Sequence, residues 1–387
     1  MTWHEVSLKQ ICNVDWGNTK LTKSSYVADG KFLAVSAAGA DGLIDYYEHE
    51  ANVPVLSAIG AQCGRMFYPG ARFTAIKNTI TLTPNDNMAD GKFLYYLFTS
   101  VELPQRGAGQ PFISKGDIES FKVFIPESLE EQRQIVQKLD SSFAEINAME
   151  GNLKLNDGNI EQLQQSILSL SFNKPQNNSG DGEPSPDQVL DVKFVKLVDA
   201  CKLVGGGTPS KANPNFYLGD IPWATVRDMR SRWLVDTEHK INAVAVRESS
   251  TNVIPSGNVV LASRVGLGKV MQLRQDTAIN QDLRALIPRD VSKIDSNYLY
   301  YWTLSIAPKI VLAGKGATVQ GVTLPFLENL MIPLPSLEKQ KEIIAKLDSA
   351  FSHIEALRLQ SRLKKEYATA VRDSLLSHAL IQEEAVA

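Results

Sequence analysis

Cysteine is scarce in this chain. Cys12, Cys63 and Cys201 stand far apart among 387 residues, without a C-x-x-C pair, and the five histidines fall at no zinc-binding spacing. That excludes a disulfide framework and a structural zinc site, and makes a reducing cytoplasm the expected compartment. Long apolar runs are also missing: no stretch reaches the roughly 18 residues that a membrane-spanning helix needs. The opening residues, MTWHEVSLKQ, lack a basic region followed by an apolar one, so no signal peptide is expected. Nor is charge of one sign in excess. Lys and Arg number 40 against 43 Asp and Glu, for a net charge of -3. A uniformly basic nucleic-acid coat is excluded, whereas a local basic face is not.

Catalytic signatures are lacking as well. Gly205-Gly206-Gly207-Thr208-Pro209 is glycine-rich without G-x-G-x-x-G spacing, and Pro209 opposes a helix running on from it. Gly314-Lys315-Gly316 has neither the upstream glycine nor the Ser or Thr of a phosphate-binding loop. Asn213-Pro214-Asn215-Phe216 is close to the Asn-Pro-Pro-aromatic motif of amino-methyltransferases, but no cofactor-binding glycine motif accompanies it, and it reads as a turn. Glu238-His239-Lys240, with Asp220 and Asp228 upstream, leaves a metal-dependent nuclease open as one alternative. No Cys/His dyad or G-x-S-x-G elbow occurs. The expectation is a binding protein with no catalytic residue, cofactor or metal of its own.

What the chain does have is a duplication. Ser128-Leu129-Glu130-Glu131-Gln132 returns as Ser336-Leu337-Glu338-Lys339-Gln340, an offset of 208 that also carries Ile135 to Ile343, Leu139-Asp140-Ser141 to Leu347-Asp348-Ser349, and Phe143 to Phe351. Upstream, Phe93-Leu94-Tyr95-Tyr96-Leu97 matches Tyr298-Leu299-Tyr300-Tyr301-Trp302, and Val6-x-Leu8-x-x-Ile11-Cys12 matches Val195-x-Leu197-x-x-Ala200-Cys201. Two long copies are not a solenoid, which needs more and shorter repeats. Residues 173–190 between them hold three prolines and almost nothing apolar, the composition of an exposed linker.

Each copy has two parts. The larger parts, 1–125 and 191–332, mix short apolar runs such as Val53–Gly60 and Asn258–Ser263 with glycine and proline punctuation, and carry short helical patterns at 91–98 and 296–304. They read as mixed α/β domains. The smaller parts, 126–172 and 333–387, read as long helices. In the first, Ile146, Leu153, Ile160 and Ile167 recur every seven residues, with Met149, Leu163 and Leu170 as companions and Asn156 on the same seam. In the second, Leu347, Ile354, Leu357, Val371 and Leu375 fit a seam, while Ser361 and Lys364 do not. Either each helix packs on its own domain, or the two pair with each other as a rod; a copy in each half favours the rod. Charge is uneven: residues 1–125 carry net -1, 126–172 net -5, and 191–332 net +5. In the basic domain Arg227, Arg230 and Arg232 crowd around Trp233, which suits phosphate contact and base-edge reading.

Several blocks together carry a family resemblance. Gly205-Gly206-Gly207-Thr208-Pro209-Ser210 is followed by Gly219-Asp220-Ile221-Pro222-Trp223 and Arg227-Asp228, and a Pro-x-x-Leu-Glu-x-Gln block opens each long helix, at Pro126 and, as Pro-x-Leu-Glu-x-Gln, at Pro335. With the duplication, the whole chain resembles the specificity subunit of type I restriction-modification systems. In the first half only Trp16-Gly17-Asn18-Thr19-Lys20 answers the glycine block, and no Ile-Pro-Trp is visible. The resemblance implies an α+β fold with internal two-fold duplication: two target-recognition domains separated by two long helices paired as an antiparallel coiled coil. It implies that each domain reads one half of a split, asymmetric target in double-stranded DNA. It further implies that the helices fix the gap and hold two modification (methyltransferase) subunits, to which restriction subunits can be added. For base contact the candidates are Lys20, Arg65, Arg106 and Gln110 in the first domain and Arg230, Arg232, Arg264, Lys315 and Gln320 in the second, because Arg suits guanine and Gln adenine. The helix-pairing candidates are Ile146, Leu153, Ile160, Ile167, Leu347, Ile354, Leu357 and Leu375. A nuclease and a coiled-coil scaffold without sequence readout stand as the alternatives.

Overall fold

The computed structural model describes residues 2–85, 87–172, 192–314 and 321–380. The linker expected over 173–190 and the candidates Lys315 and Gln320 lie outside these residues. The fold is α+β and forms two compact units, one of Met1–Leu155 with Ser361–Ala387, the other of Asn156–Gln360. Each long helix is therefore divided between the two units.

In the first unit the strand Trp3–Ser7 pairs antiparallel with Lys122–Pro126, with Trp3 opposite Pro126. This brings the start of the chain to the foot of the first long helix, Leu129–Phe172. One helical turn, Leu8–Ile11, leads into Cys12–Trp16, the edge of an antiparallel sheet continued by Thr79–Pro84, Val55–Ser57 and Met66–Phe67. A second sheet is made of Gly39–Ile44, Phe32–Ser36 and Phe73–Ala75. The helix Gly91–Ser100 is capped by Asp90, whose carboxylate accepts from the amides of Lys92 and Phe93, and it buries Phe93, Leu94, Leu97 and Phe98.

The second unit repeats this plan. Lys193–Lys196 pairs with Met331–Leu334, and the turn Leu197–Ala200 leads into Cys201–Gly205. That strand edges a five-stranded sheet followed by Leu283–Pro288, Val259–Ala262, Val270–Leu273 and Trp233–Leu234. A four-stranded sheet holds His239–Ile241, Ile221–Ala224, Thr277–Ile279 and Asn252–Ile254. The helix Ser296–Ser305 is capped by Asp295. Cys12 and Cys201 are buried at equivalent places, where burial pushes both thiols up to about 12. They are packing residues.

The repeated glutamine of the Leu-Glu-x-Gln block has a shared task. Gln132 is fully buried; its side-chain oxygen accepts from the Asp90 amide at 2.9 Å, and its Nε2 donates to the Met88 and Pro126 carbonyls at 3.0 and 3.1 Å. Gln340 likewise accepts from the Asp295 amide at 2.9 Å and donates to the carbonyls of Lys293 and Pro335 at 2.8 and 3.0 Å. Each long helix is thus fixed at its first turn to its own domain.

Both long helices run 44 residues without a break. Gly151 and Gly158 do not interrupt the first, where each faces open space. The second long helix, Leu337–Leu380, supplies Ala368, Leu376 and Leu380 to the first unit's core, beside Phe143 and Ile146. In the second unit the first helix supplies Leu168 and Phe172, beside Leu347 and against Tyr298, at 5.3 Å between the Phe172 and Tyr298 rings. Early turns of one helix thus lie by late turns of the other, which makes the pairing antiparallel.

Buried side chains recur along both helices at seven-residue intervals. Ile146, Leu153, Ile160, Leu347 and Ile354 are buried, and Ile167 and Leu375 are partly buried against the cores. The companion column differs. Met149 packs partly buried against the first unit's core, but Leu163 is 46% exposed, Leu170 84% and Leu357 43%. Four residues after the first column lies a second that also turns inward, apolar at Phe143 and Phe351 and polar at Glu150 and Gln164. Glu150 and Asn147 meet Arg372, at 3.5 and 2.7 Å, and Gln164 accepts from Arg358 at 2.6 Å. Ser361, set aside in the sequence reading, is buried on the seam. Among the described residues, no helix is long and apolar enough to cross a membrane.

Candidate nucleic-acid interface

The glycine block of the second unit sits where two backbones nearly touch. A Cβ on Gly206 would lie 2.0 Å from the Ile279 carbonyl oxygen, and one on Gly207 2.2 Å from the Ser250 hydroxyl. Only glycine fits there. The amide of Gly207 donates to the Ile279 carbonyl, while its own carbonyl accepts from the Trp223 indole at 3.1 Å and the Thr251 hydroxyl at 2.8 Å. The Gly-Gly-Thr-Pro and Ile-Pro-Trp blocks therefore form one device. The Tyr217 hydroxyl donates to the Pro209 carbonyl at 2.8 Å, and Thr208 bonds Gln281. Together they frame an open cleft of about 1060 Å³ whose walls carry Lys211, Arg227, His239 and Glu238 beside Tyr217 and Trp223. Cations, an amide and aromatic faces in one concavity suit phosphate contact with base-edge reading.

The first unit repeats the anchor with a single glycine. The Gly17 amide donates to the Thr79 carbonyl at 2.9 Å, and a Cβ there would meet the Ile76 carbonyl at 2.5 Å. A hollow of about 280 Å³ opens nearby, with Thr22, Lys23, Gln62, Lys77 and Asn78 on its walls. Lys20 is exposed on this loop, its amide held by the Asn18 side chain at 3.1 Å.

Beside each hollow lies a second pair of loops. In the first unit the turn 58–65 meets the loop 105–112: the Gly60 amide donates to the Pro111 carbonyl, and the Ile113 amide to the Ala58 carbonyl. Gly60 and Gly64 take φ of +108° and +90°, which glycine adopts without strain. This contact gathers Arg65, Arg106 and the exposed Gln110. Arg65 donates to Gln62 at 3.0 Å and lies over Phe67, while Arg106 is ion-paired to Asp117. In the second unit the Val322 amide donates to the Ser263 carbonyl, and Arg264, 3.7 Å from the Asp282 carboxylate at the cleft wall, packs beside Gly321. Arg230 is exposed, its Nε donating to the Arg227 carbonyl at 3.1 Å.

Arg232 is redirected. Its Nε donates to Gln272 at 2.9 Å, one terminal nitrogen to the Tyr301 hydroxyl at 3.1 Å and to Asp348 at 2.8 Å, and the other to Asn297 at 2.7 Å. The guanidinium also lies 4.8 and 4.9 Å from the ring centres of Tyr300 and Tyr301. With all three nitrogens taken, it has no fork left for a guanine edge. Asp228 is likewise occupied, accepting from the amide and hydroxyl of Thr225 and from the Glu238 amide. Among the described residues no three His, Cys, Asp or Glu side chains gather where a metal could bind. The sequence reading did not single out Lys77 and Lys211, and took His239 only as part of the Glu-His-Lys triplet; Lys211, four residues after Gly207, was within its reach, whereas Lys77 and His239 reach the hollows only through the fold.

Comparison with known proteins agrees with this architecture. The family described as type I restriction modification DNA specificity domain matches residues 1–156 and again 190–365. Among curated relatives, the EcoR124I/EcoR124II specificity subunit of Escherichia coli is 28% identical over 311 residues, covering 76% of this chain and 72% of that one. The MjaIX specificity subunit of Methanocaldococcus jannaschii is 31% identical over 183 residues, covering 46% of this chain and 41% of that one. A solved structure described as the basis of complex assembly and conformational transition of the type I R-M system has a TM-score of 0.75 at 18% identity, over 97% of each chain. The HsdS subunit of Thermoanaerobacter tengcongensis has a TM-score of 0.54 at 19% identity, over 98% of this chain and 96% of that one. These two likenesses are of fold. The family match, repeated over both halves and joined to the duplicated fold, means that the chain belongs to the type I restriction-modification specificity family, as the non-catalytic DNA specificity subunit of such a system.

Proposed function

We propose that each unit reads one half of a split, asymmetric duplex sequence, through its glycine-anchored hollow and the loops beside it. The observation that carries this is the repetition of one scaffold with different side chains around it: Lys20, Lys77 and Gln62 in one unit, Lys211, Arg227 and His239 in the other. Similar frames with unlike readers should recognise unlike words. Arg65, Arg106, Gln110, Arg230 and Arg264 are the further contacts, together with Lys315 and Gln320. The paired helices fix the gap between the words, much as dimer geometry fixes half-site spacing.

The helices also offer a docking surface for two modification subunits, to which restriction subunits can be added. Leu155, Leu363 and Tyr367 in the first unit, and Leu163, Leu170, Leu357 and Leu359 in the second, are exposed apolar side chains on these helices, which supports that role. Cys12, Cys63 and Cys201 are all free thiols, as suits the reducing cytoplasm in which we place the protein.

The test is selection of bound duplexes from a randomised pool, at one stated salt concentration, with and without the modification subunit. Two short unrelated words at a constant gap are expected. Failure of any sequence to enrich, even with the modification subunit present, would leave the helices as a scaffold only.

A further inference from the structure

The two units hold their long helices through a second contact, and here the copies differ. In the first unit Asp140 accepts from the Tyr96 hydroxyl at 2.5 Å and from Lys92 Nζ at 2.7 Å. Both donors come from the one short helix Gly91–Ser100, so this contact fastens helix to helix and nothing beyond. In the second unit Asp348 accepts from the Tyr301 hydroxyl at 2.5 Å in the same way. Asn297 stands where the first unit has Lys92, and the cation arrives from elsewhere: it is Arg232.

Arg232 follows the turn Val226–Asp228, which Thr225 caps; Thr225, Val226 and Arg227 line the cleft. It precedes the strand Trp233–Leu234, and the chain then returns to the cleft wall at Glu238 and His239. Its own carbonyl accepts from the Gln272 amide at 2.7 Å, so backbone and side chain are both fixed. The side chain is 24% exposed, and it joins the segment that follows the cleft wall to the short helix and the long helix at one point.

We propose that Arg232 is a positioning residue, which fixes the cleft wall of the second unit to its long helix so that the second half-site is read at one gap length only. The inference rests on the bipartite reading proposed above. One added base pair moves a half-site by about 3.4 Å along the duplex axis. A cleft wall tied to the shaft by charge-assisted bonds resists that displacement; without the tie the wall can shift while Gln340 still holds the domain to its helix.

The test uses the assembled complex with its modification subunits and three duplexes that carry the selected words at the natural gap, one base pair shorter and one longer. For Arg232→Ala the preference for the natural gap is expected to fall by roughly tenfold or more, with base preference unchanged at every position of both words. Asp348→Asn, which removes the charge from the other side, should do the same, and Arg232→Lys should restore part of the preference. Equal weakening at all three gaps would make the contact merely structural and overturn the inference. Relaxation at a single base pair would overturn it too, by making Arg232 a reader. Should the unaltered protein select no bipartite target, the bipartite reading itself fails; should it select one whose gap preference survives in both variants, only the inference about Arg232 fails.

Discussion

Gly206 and Gly151 put one residue type to opposite uses. At Gly206 the neighbouring carbonyl leaves no room for a side chain, whereas Gly151 faces open space on a helix. Gly206→Ala is therefore expected to destabilise the second unit by about 1–3 kcal/mol, as overpacking does. Gly151→Ala should stabilise the chain by about 0.5–1 kcal/mol, because it raises helix propensity with no clash. Denaturant titration of both variants measures the two signs. Sequence alone set the glycine triplet apart from dinucleotide-binding spacing. It did not show that Trp223 closes the loop by donating to Gly207, since such a bond joins residues distant in the chain. For the same reason the crowding of Arg227, Arg230 and Arg232 around Trp233 was legible but the destination of each guanidinium was not. Arg232 turns to Asp348, over a hundred positions away, while Arg230 stays exposed.

The long helices were the most legible elements. A proline-free stretch with apolar residues every seven positions leaves few other structures, and the two glycines did not break it. The choice of companion column was less accessible. In a helix of about 3.6 residues per turn, positions three and four residues on flank the seam on opposite sides, about 60° and 40° away. Which of them is buried depends on the partner, and here Arg358 and Arg372 draw in Gln164 and Glu150. Pairing also has a consequence for stability. Leu376, in the last turns of the second helix, is buried in the core of the first unit. Leu376→Ala should cost about 2–5 kcal/mol, as other large-to-small core changes do. Amide exchange is expected to locate that loss in residues of the first unit, around Phe93 and Ile146, while Tyr298 and Trp302 keep their protection. An even loss across both units would mean that they unfold as one.

At the scale of the whole molecule, the duplication was legible because a gapless offset needs no structural knowledge. The target words were not, because no code links a loop sequence to a base. The gap is the property that the frame can control. Inserting one heptad into both long helices keeps the seam in phase and adds about 10 Å. At about 3.4 Å per base pair, the selected target should then show a gap wider by roughly 3 base pairs. Repeating the selection with the lengthened protein tests this, and an unchanged gap would remove the helices from the control of spacing.

Gln132 and Gln340 clasp only main-chain atoms of the domains they hold. A clasp of that kind sets no condition on the identity of the side chains around it. The loops of a domain can drift in sequence, or a domain of unrelated loops can take its place, and the clasp closes as before. It behaves as a standard fitting, one socket in each copy, into which different tools can be seated without reshaping the handle.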